Sequence, residues 1–151
     1  MKTTILKSIL VVITMTLSII SCNNDKEVTS PPPPGIPELL YAEGGAPTMS
    51  SATNSAAKES TKEILGKNGA TSVVEIKLTS FAVGTYTIGS GNQFKYTRPS
   101  SSNTWTAILG TITITSNLGN KLTGNFNLTA GNSDLGINSV SGSFTDIEIV
   151  P

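Results

Sequence analysis

From Leu39 to the end of the chain, apolar and polar residues alternate in short runs broken by glycine, asparagine and serine, and no apolar repeat of 3.6 residues is sustained. Alternation places every second side chain on one face, so each run is expected to form a half-buried β-strand. Leu39–Ala42 makes a first short strand. Residues 44–60 offer no usable apolar face and read as a loop holding a helical turn near Ala56–Glu59. Thr61–Leu65 and Thr71–Thr79 are hairpin partners around Gly66-Lys67-Asn68-Gly69, with Val74, Ile76 and Leu78 on one face of the second. Gly84–Ile88 and Gln93–Thr97 flank Gly89-Ser90-Gly91-Asn92, which has the chemistry of a hairpin turn. Tyr86 and Ile88, then Phe94 and Tyr96, recur there at period two.

After a loop over Arg98–Asn103, a strand begins at Trp105–Leu109. Gly110–Thr115 has the clearest pattern, with Ile112 and Ile114 inward, Thr111, Thr113 and Thr115 outward, and a turn at Asn117–Asn120. The last third repeats itself: Leu122-Thr123-Gly124-Asn125-Phe126 and Val140-Ser141-Gly142-Ser143-Phe144 share an aliphatic-x-Gly-x-Phe pattern 18 residues apart. Each glycine leaves room for an aromatic ring from the neighbouring strand, so the two segments are expected to pair around a loop at Ala130–Ser139. Beyond Phe144 the apolar phase slips by one, to Ile147 and Ile149, which predicts a bulge near Thr145-Asp146. About eight or nine short strands are too many for one flat sheet of this size, so the expectation is an all-β domain, a small antiparallel β-sandwich over residues 37–151.

The amino-terminal pattern differs. Lys2 and Lys7 precede an apolar run from Ser8 to Ile20, 13 residues long. A membrane span needs roughly 20 apolar residues, so residues 1–21 read as a signal peptide that is cut after Ser21. Ile19-Ile20-Ser21-Cys22 resembles the bacterial lipobox, in which aliphatic residues and a small residue precede a cysteine that receives diacylglycerol. That resemblance makes Cys22 the lipidated amino terminus, held in the bilayer by several acyl chains at about 0.8 kcal/mol per buried methylene. Residues 22–36 carry Pro31–Pro34 and cannot pack a core; as polyproline II they would span roughly 40 Å as a semi-rigid tether. Asn23-Asn24-Asp25-Lys26-Glu27 partly resembles the surface-export signal of Bacteroidetes-type lipoproteins, with the lysine between its acidic residues rather than ahead of them.

Composition narrows the chemistry. The 151 residues carry ten basic and ten acidic side chains, and loss of Lys2 and Lys7 with the leader leaves eight against ten, a net of −2. That balance argues against nucleic acid or another polyanion as a partner. With no histidine and a single cysteine taken by lipid, triads and zinc sites lack their groups, and no cofactor is expected. A carboxylate-dependent glycan hydrolase is the remote catalytic alternative; its candidates are Glu63, Glu75, Asp134, Asp146 and Glu148, of which Asp146 and Glu148 are expected as solvent-facing charges on an edge strand. Asn132-Ser133-Asp134 offers only one carboxylate for calcium, so no metal site is assigned. Trp105 and Tyr96 are the candidates for stacking on a glycan, with Tyr86 and Tyr41 behind them, although a chain with 5% aromatic residues ordinarily spends them on its core.

Gly-Thr-Tyr-Thr-Ile-Gly from Gly84, Gly-Thr-Ile-Thr-Ile-Thr from Gly110 and Val-Ser-Gly-Ser-Phe-Thr-Asp-Ile from Val140 together resemble an uncharacterised lipoprotein β-domain family, a domain of unknown function, of Bacteroidetes-type bacteria. The resemblance covers residues 38–150 and implies a fold and a location in the cell envelope, lipid-anchored to the outer membrane, with exposure at the cell surface as one of the two faces it could take. It implies no activity. The functional expectation is a non-catalytic surface module that binds a glycan or protein; the alternative is a structural envelope lipoprotein without a small ligand.

Overall fold

The computed structural model describes residues 35–44, 46, 48–100, 103–132 and 136–151. Ser21, Cys22, the leader, the tether as far as Pro34, and Asp134 lie outside the described residues. Among the described residues there are ten strands and no helix: β1 (Glu38–Glu43), β2 (Ser50–Ser51), β3 (Asn54–Lys58), β4 (Glu63–Asn68), β5 (Thr71–Lys77), β6 (Gly84–Thr87), β7 (Gln93–Thr97), β8 (Thr104–Leu118), β9 (Lys121–Asn132) and β10 (Val140–Val150).

Pairing carries the sheet round on itself. The circuit runs β3-β4-β5-β7-β8-β9-β10 and returns from β10 to β3, giving a closed seven-stranded barrel in place of the expected sandwich. Every pairing is antiparallel except the closing one, where Ile149 pairs with Ala57 and Val150 with Lys58. Strand periodicity could not separate these folds, because sandwich and barrel both demand one apolar and one polar face. The remaining strands are additions: β1 pairs with Val140–Thr145 of β10 and carries β2, and β6 pairs with Thr111–Ile114 of β8. We call the end where β4, β7 and β9 finish the upper mouth.

Small residues explain the longest segment whose structure departs from the expectation. Residues 50–58 form β2 and β3 rather than a loop with a helical turn. β3 has no large apolar residue, yet Ala57 is fully buried and the strand is held by backbone pairing to β4 on one side and β10 on the other. The four-residue turn expected at Gly66–Gly69 contracts to Gly69-Ala70, with Gly69 at φ 61°. Gly66 stays inside β4, where the Leu39 methyl groups lie about 3.1 Å from the space its Cβ would fill. The Gly119-Asn120 turn has φ near 60° at both residues, as a primed hairpin turn requires.

The interior is filled by side chains. Phe94 packs on Phe126 at 5.1 Å between ring centroids and edge-on to Trp105 at 6.2 Å, with Phe144, Ile64, Ile76, Ile112 and Leu128 around them. Burying each such side chain stabilises the fold by about 1.5–3 kcal/mol. The internal echo becomes the β9–β10 hairpin: Phe126 pairs with Gly142 and Phe144 with Gly124. The register then slips between Phe144 and Ile147, with Asp146 at φ 51°, which is the expected bulge.

β10 is not an edge strand, a correction to the expected role of Asp146 and Glu148. The last strand in sequence is flanked by β9 on one side and by β1 and β3 on the other. Asp146 is half-buried in the bulge, its backbone N–H donating to Thr123 Oγ1 at 3.1 Å, while Glu148 remains exposed.

Candidate functional site

Besides the tight Gly69-Ala70 turn after β4, three longer connections leave the upper mouth: residues 44–49 after β1, 98–103 after β7, and 133–139 after β9. Their bases are laced to one another. The Gly44 N–H donates to the Ser139 carbonyl at 2.8 Å, joining the first connection to the third. Glu43 and Arg98 form a two-point ion pair, Arg98 Nε donating to Glu43 Oε1 at 3.0 Å and a terminal guanidinium nitrogen to Oε2, which joins the first to the second. Trp105 Nε1 donates to the Ile137 carbonyl at 2.9 Å, tying the third to the base of β8.

Two tyrosines support this lacing from below. Tyr96 donates its hydroxyl to Glu43 Oε1 at 2.5 Å, and its ring tilts against Tyr41 at 5.4 Å between centroids. Asn68 Nδ2 in turn donates to the Tyr41 hydroxyl at 3.2 Å. The electrostatics follow from the contacts. The Arg98 hydrogen bond, helped by the Tyr96 hydroxyl, holds the Glu43 carboxyl below its ordinary value even though partial burial opposes it. Burial first, and then the hydrogen bond to a carboxylate, push the Tyr96 phenol well above its ordinary value; burial also raises Tyr41. Glu43 raises the Arg98 guanidinium further. At neutral pH the cluster is therefore a fixed carboxylate–guanidinium pair with two neutral phenols. It is a clamp, since neither phenol is poised to exchange a proton.

The expected stacking platform is absent at both residues assigned to it. Trp105 is 0% exposed and Tyr96 2% exposed, so neither offers a face to a sugar ring. The reason is geometric: the inward positions of β7 and β8 include Tyr96 and Trp105, and Gly131 on β9 leaves the gap that the indole ring fills. Tyr41 is buried as well, and Tyr86 is half-buried with its hydroxyl donating to the Ala82 carbonyl at 2.7 Å.

Of the candidate carboxylates, Glu63 and Glu75 line one open depression on the outer wall of β4 and β5, while Asp146 and Glu148 lie apart from them on β10. Among the described residues no cluster of three or more His, Cys, Asp or Glu side chains could hold a metal ion. Glu43 and Arg98 went unnoticed in the sequence because 55 residues separate them and neither belongs to a motif. The one available signal was their placement immediately after the last positions of two predicted strands, Leu39–Ala42 and Gln93–Thr97.

Thr85 and Thr113 face outward and share a hydroxyl hydrogen bond at 3.1 Å, and Thr111 and Asn125 extend the same uncharged outer wall over β8 and β9. No curated protein and no solved structure matches the chain. Residues 48–148, which take in every strand from β2 to nearly the end of β10 but not β1, match a family described only as a domain of unknown function. Two-thirds of the sequence is thus accounted for by one family, and the chain belongs to it: the Domain of unknown function family DUF6252.

Proposed function

We propose that this chain is a non-catalytic interaction module of the cell envelope, anchored in the outer membrane through lipid on Cys22, that meets a glycan or protein with the connections of its upper mouth. The observation that carries the reading is the lacing of three connections, drawn from distant parts of the sequence, onto one rigid rim by Gly44–Ser139, Glu43–Arg98 and Trp105–Ile137. Polar connections positioned by a rigid scaffold are where binding residues concentrate. The chain enters β1 beside the bulge, with Gly35 close to Asp146, and runs from there toward the mouth.

A photo-crosslinking side chain placed at Ser100 in the full-length protein tests this in intact cells. Adducts to an envelope component are expected from Ser100 and not from Thr113, and Cys22→Ser is expected to abolish labelling by a fatty-acid analogue. Persistent labelling of the serine variant, or equal adducts from both positions, contradicts the reading. The burial of Trp105, Tyr96 and Tyr41 favours a second reading, a structural envelope lipoprotein without a small ligand. Absence of adducts from either position selects it.

A further inference from the structure

The net charge of the chain argues against a polyanionic partner, but charge is distributed unevenly over the barrel, and one wall carries a local excess of lysine. Between Arg98 and Asp146 the sequence holds only Lys121 and Asp134 as charged residues. The outer wall of β3, β4, β5 and β7 carries Lys58, Lys67, Lys77 and Lys95 around Glu63 and Glu75, six charges with a net of +2 on four adjacent strands. All four lysines are exposed, while Glu63, Glu75 and Leu65 between them are half-buried. None of the four ammonium groups is within ion-pair distance of a described carboxylate; Lys58 and Lys77 lie opposite Glu63 across the ladders and Lys95 opposite Glu75, while Lys67 faces Ser72 and Asn54.

The same wall is concave. One depression of about 360 Å³ lies over β4, β5 and β7, and a second of about 350 Å³ lies over β3 and β4; Leu65 and Lys67 line both. The register shift between Gly66 and Lys67 falls at this junction, and a bulge bends its strand and increases local twist. Each depression is in the size range of a small-ligand site. Joined, they make an open trough that crosses the strands, with lysines on the rim and carboxylates and Leu65 on the floor.

We propose that this trough binds an acidic polysaccharide, a polymer whose repeating sugars carry carboxylates. The four ammonium groups outnumber the two carboxylates of the wall and supply the complement for the anionic groups, and long-range attraction would speed encounter. Glu63 and Glu75 accept hydrogen bonds from sugar hydroxyls, donors that a purely anionic chain lacks. A planar bilayer would touch only the rim of a concave wall, leaving the half-buried floor unused. The trough lies on the flank of the barrel and uses none of the residues that lace the mouth, so it stands or falls apart from the mouth.

The test is retention of the full-length protein, in detergent micelles, on immobilised polygalacturonate. The expected result is retention at low ionic strength, release by added sodium chloride, and an affinity lowered about tenfold in Lys67→Gln/Lys95→Gln, as two exposed charge contacts would give. Lys121→Gln, on the other side of the barrel, should leave retention unchanged. Tryptophan emission of each variant confirms that it is folded. No retention at low salt, equal loss in Lys121→Gln, or equally strong retention on polyglutamate, which would mean capture by charge alone, overturns the proposal.

Discussion

At residue scale the fold depends on glycines that serve as seats for aromatic rings. Phe126 lies across Gly142 and Phe144 across Gly124, each on the residue directly opposite it in the β9–β10 hairpin, and Trp105 lies across Gly131. A β-carbon at residue 142 would also collide with the Leu40 carbonyl oxygen of β1. Gly142→Ala is therefore expected to destabilise the protein by about 2–3 kcal/mol or more, read as a lowered midpoint of thermal or urea unfolding. Trimming the ring as well, in Gly142→Ala/Phe126→Leu, should fail to restore stability because the backbone clash remains. Recovery in the double variant would mean that ring packing alone fixes the glycine.

The element that most extends the barrel is β1, which precedes the family match yet supplies Leu39 and Tyr41 to the core and Glu43 to the clamp. Because its partners hold the Glu43 carboxyl below the ordinary carboxylate value, that group's contribution to stability is complete at neutral pH. It is lost as pH falls through the lowered value. Glu43→Gln should cost about 0.5–1 kcal/mol at pH 7, a small figure because the pair stays in contact with water. The difference from wild type should shrink to nothing in acid. Urea unfolding of both proteins across the acid range checks this, and a difference that persists at low pH would show that packing rather than charge holds β1 in place.

Elements with a strong alternating pattern were legible in the sequence, and those built from backbone pairing were not. The β9–β10 hairpin, its bulge and the inward Ile112 and Ile114 follow from period-two spacing and a phase slip. β3 did not, because Asn54–Lys58 carries its burial on Ala57 and its stability on ladders to neighbouring β4 and to β10, which lies far away in sequence. The clamp stayed hidden for a related reason: Glu43 and Arg98 are adjacent only once the barrel has closed. Trp105 beside the polar connection 98–103 suggested exposure, but its side chain points inward, where the Ile137 carbonyl from the connection after β9 accepts the indole proton.

For the whole molecule, a closed wall decides where binding can occur. The aromatic residues fill the interior, so any ligand must meet the rim or the outer wall. The outer wall is itself divided, with charge on β3, β4, β5 and β7 and hydroxyl and amide groups on β8 and β9. Trp105 is the one tryptophan of the chain and reports directly on this arrangement. Its emission in the folded protein should be blue-shifted and insensitive to iodide, moving to the red and becoming quenchable on unfolding in urea. Red emission quenched by iodide in the folded protein would place the indole in water and contradict the closed, filled barrel.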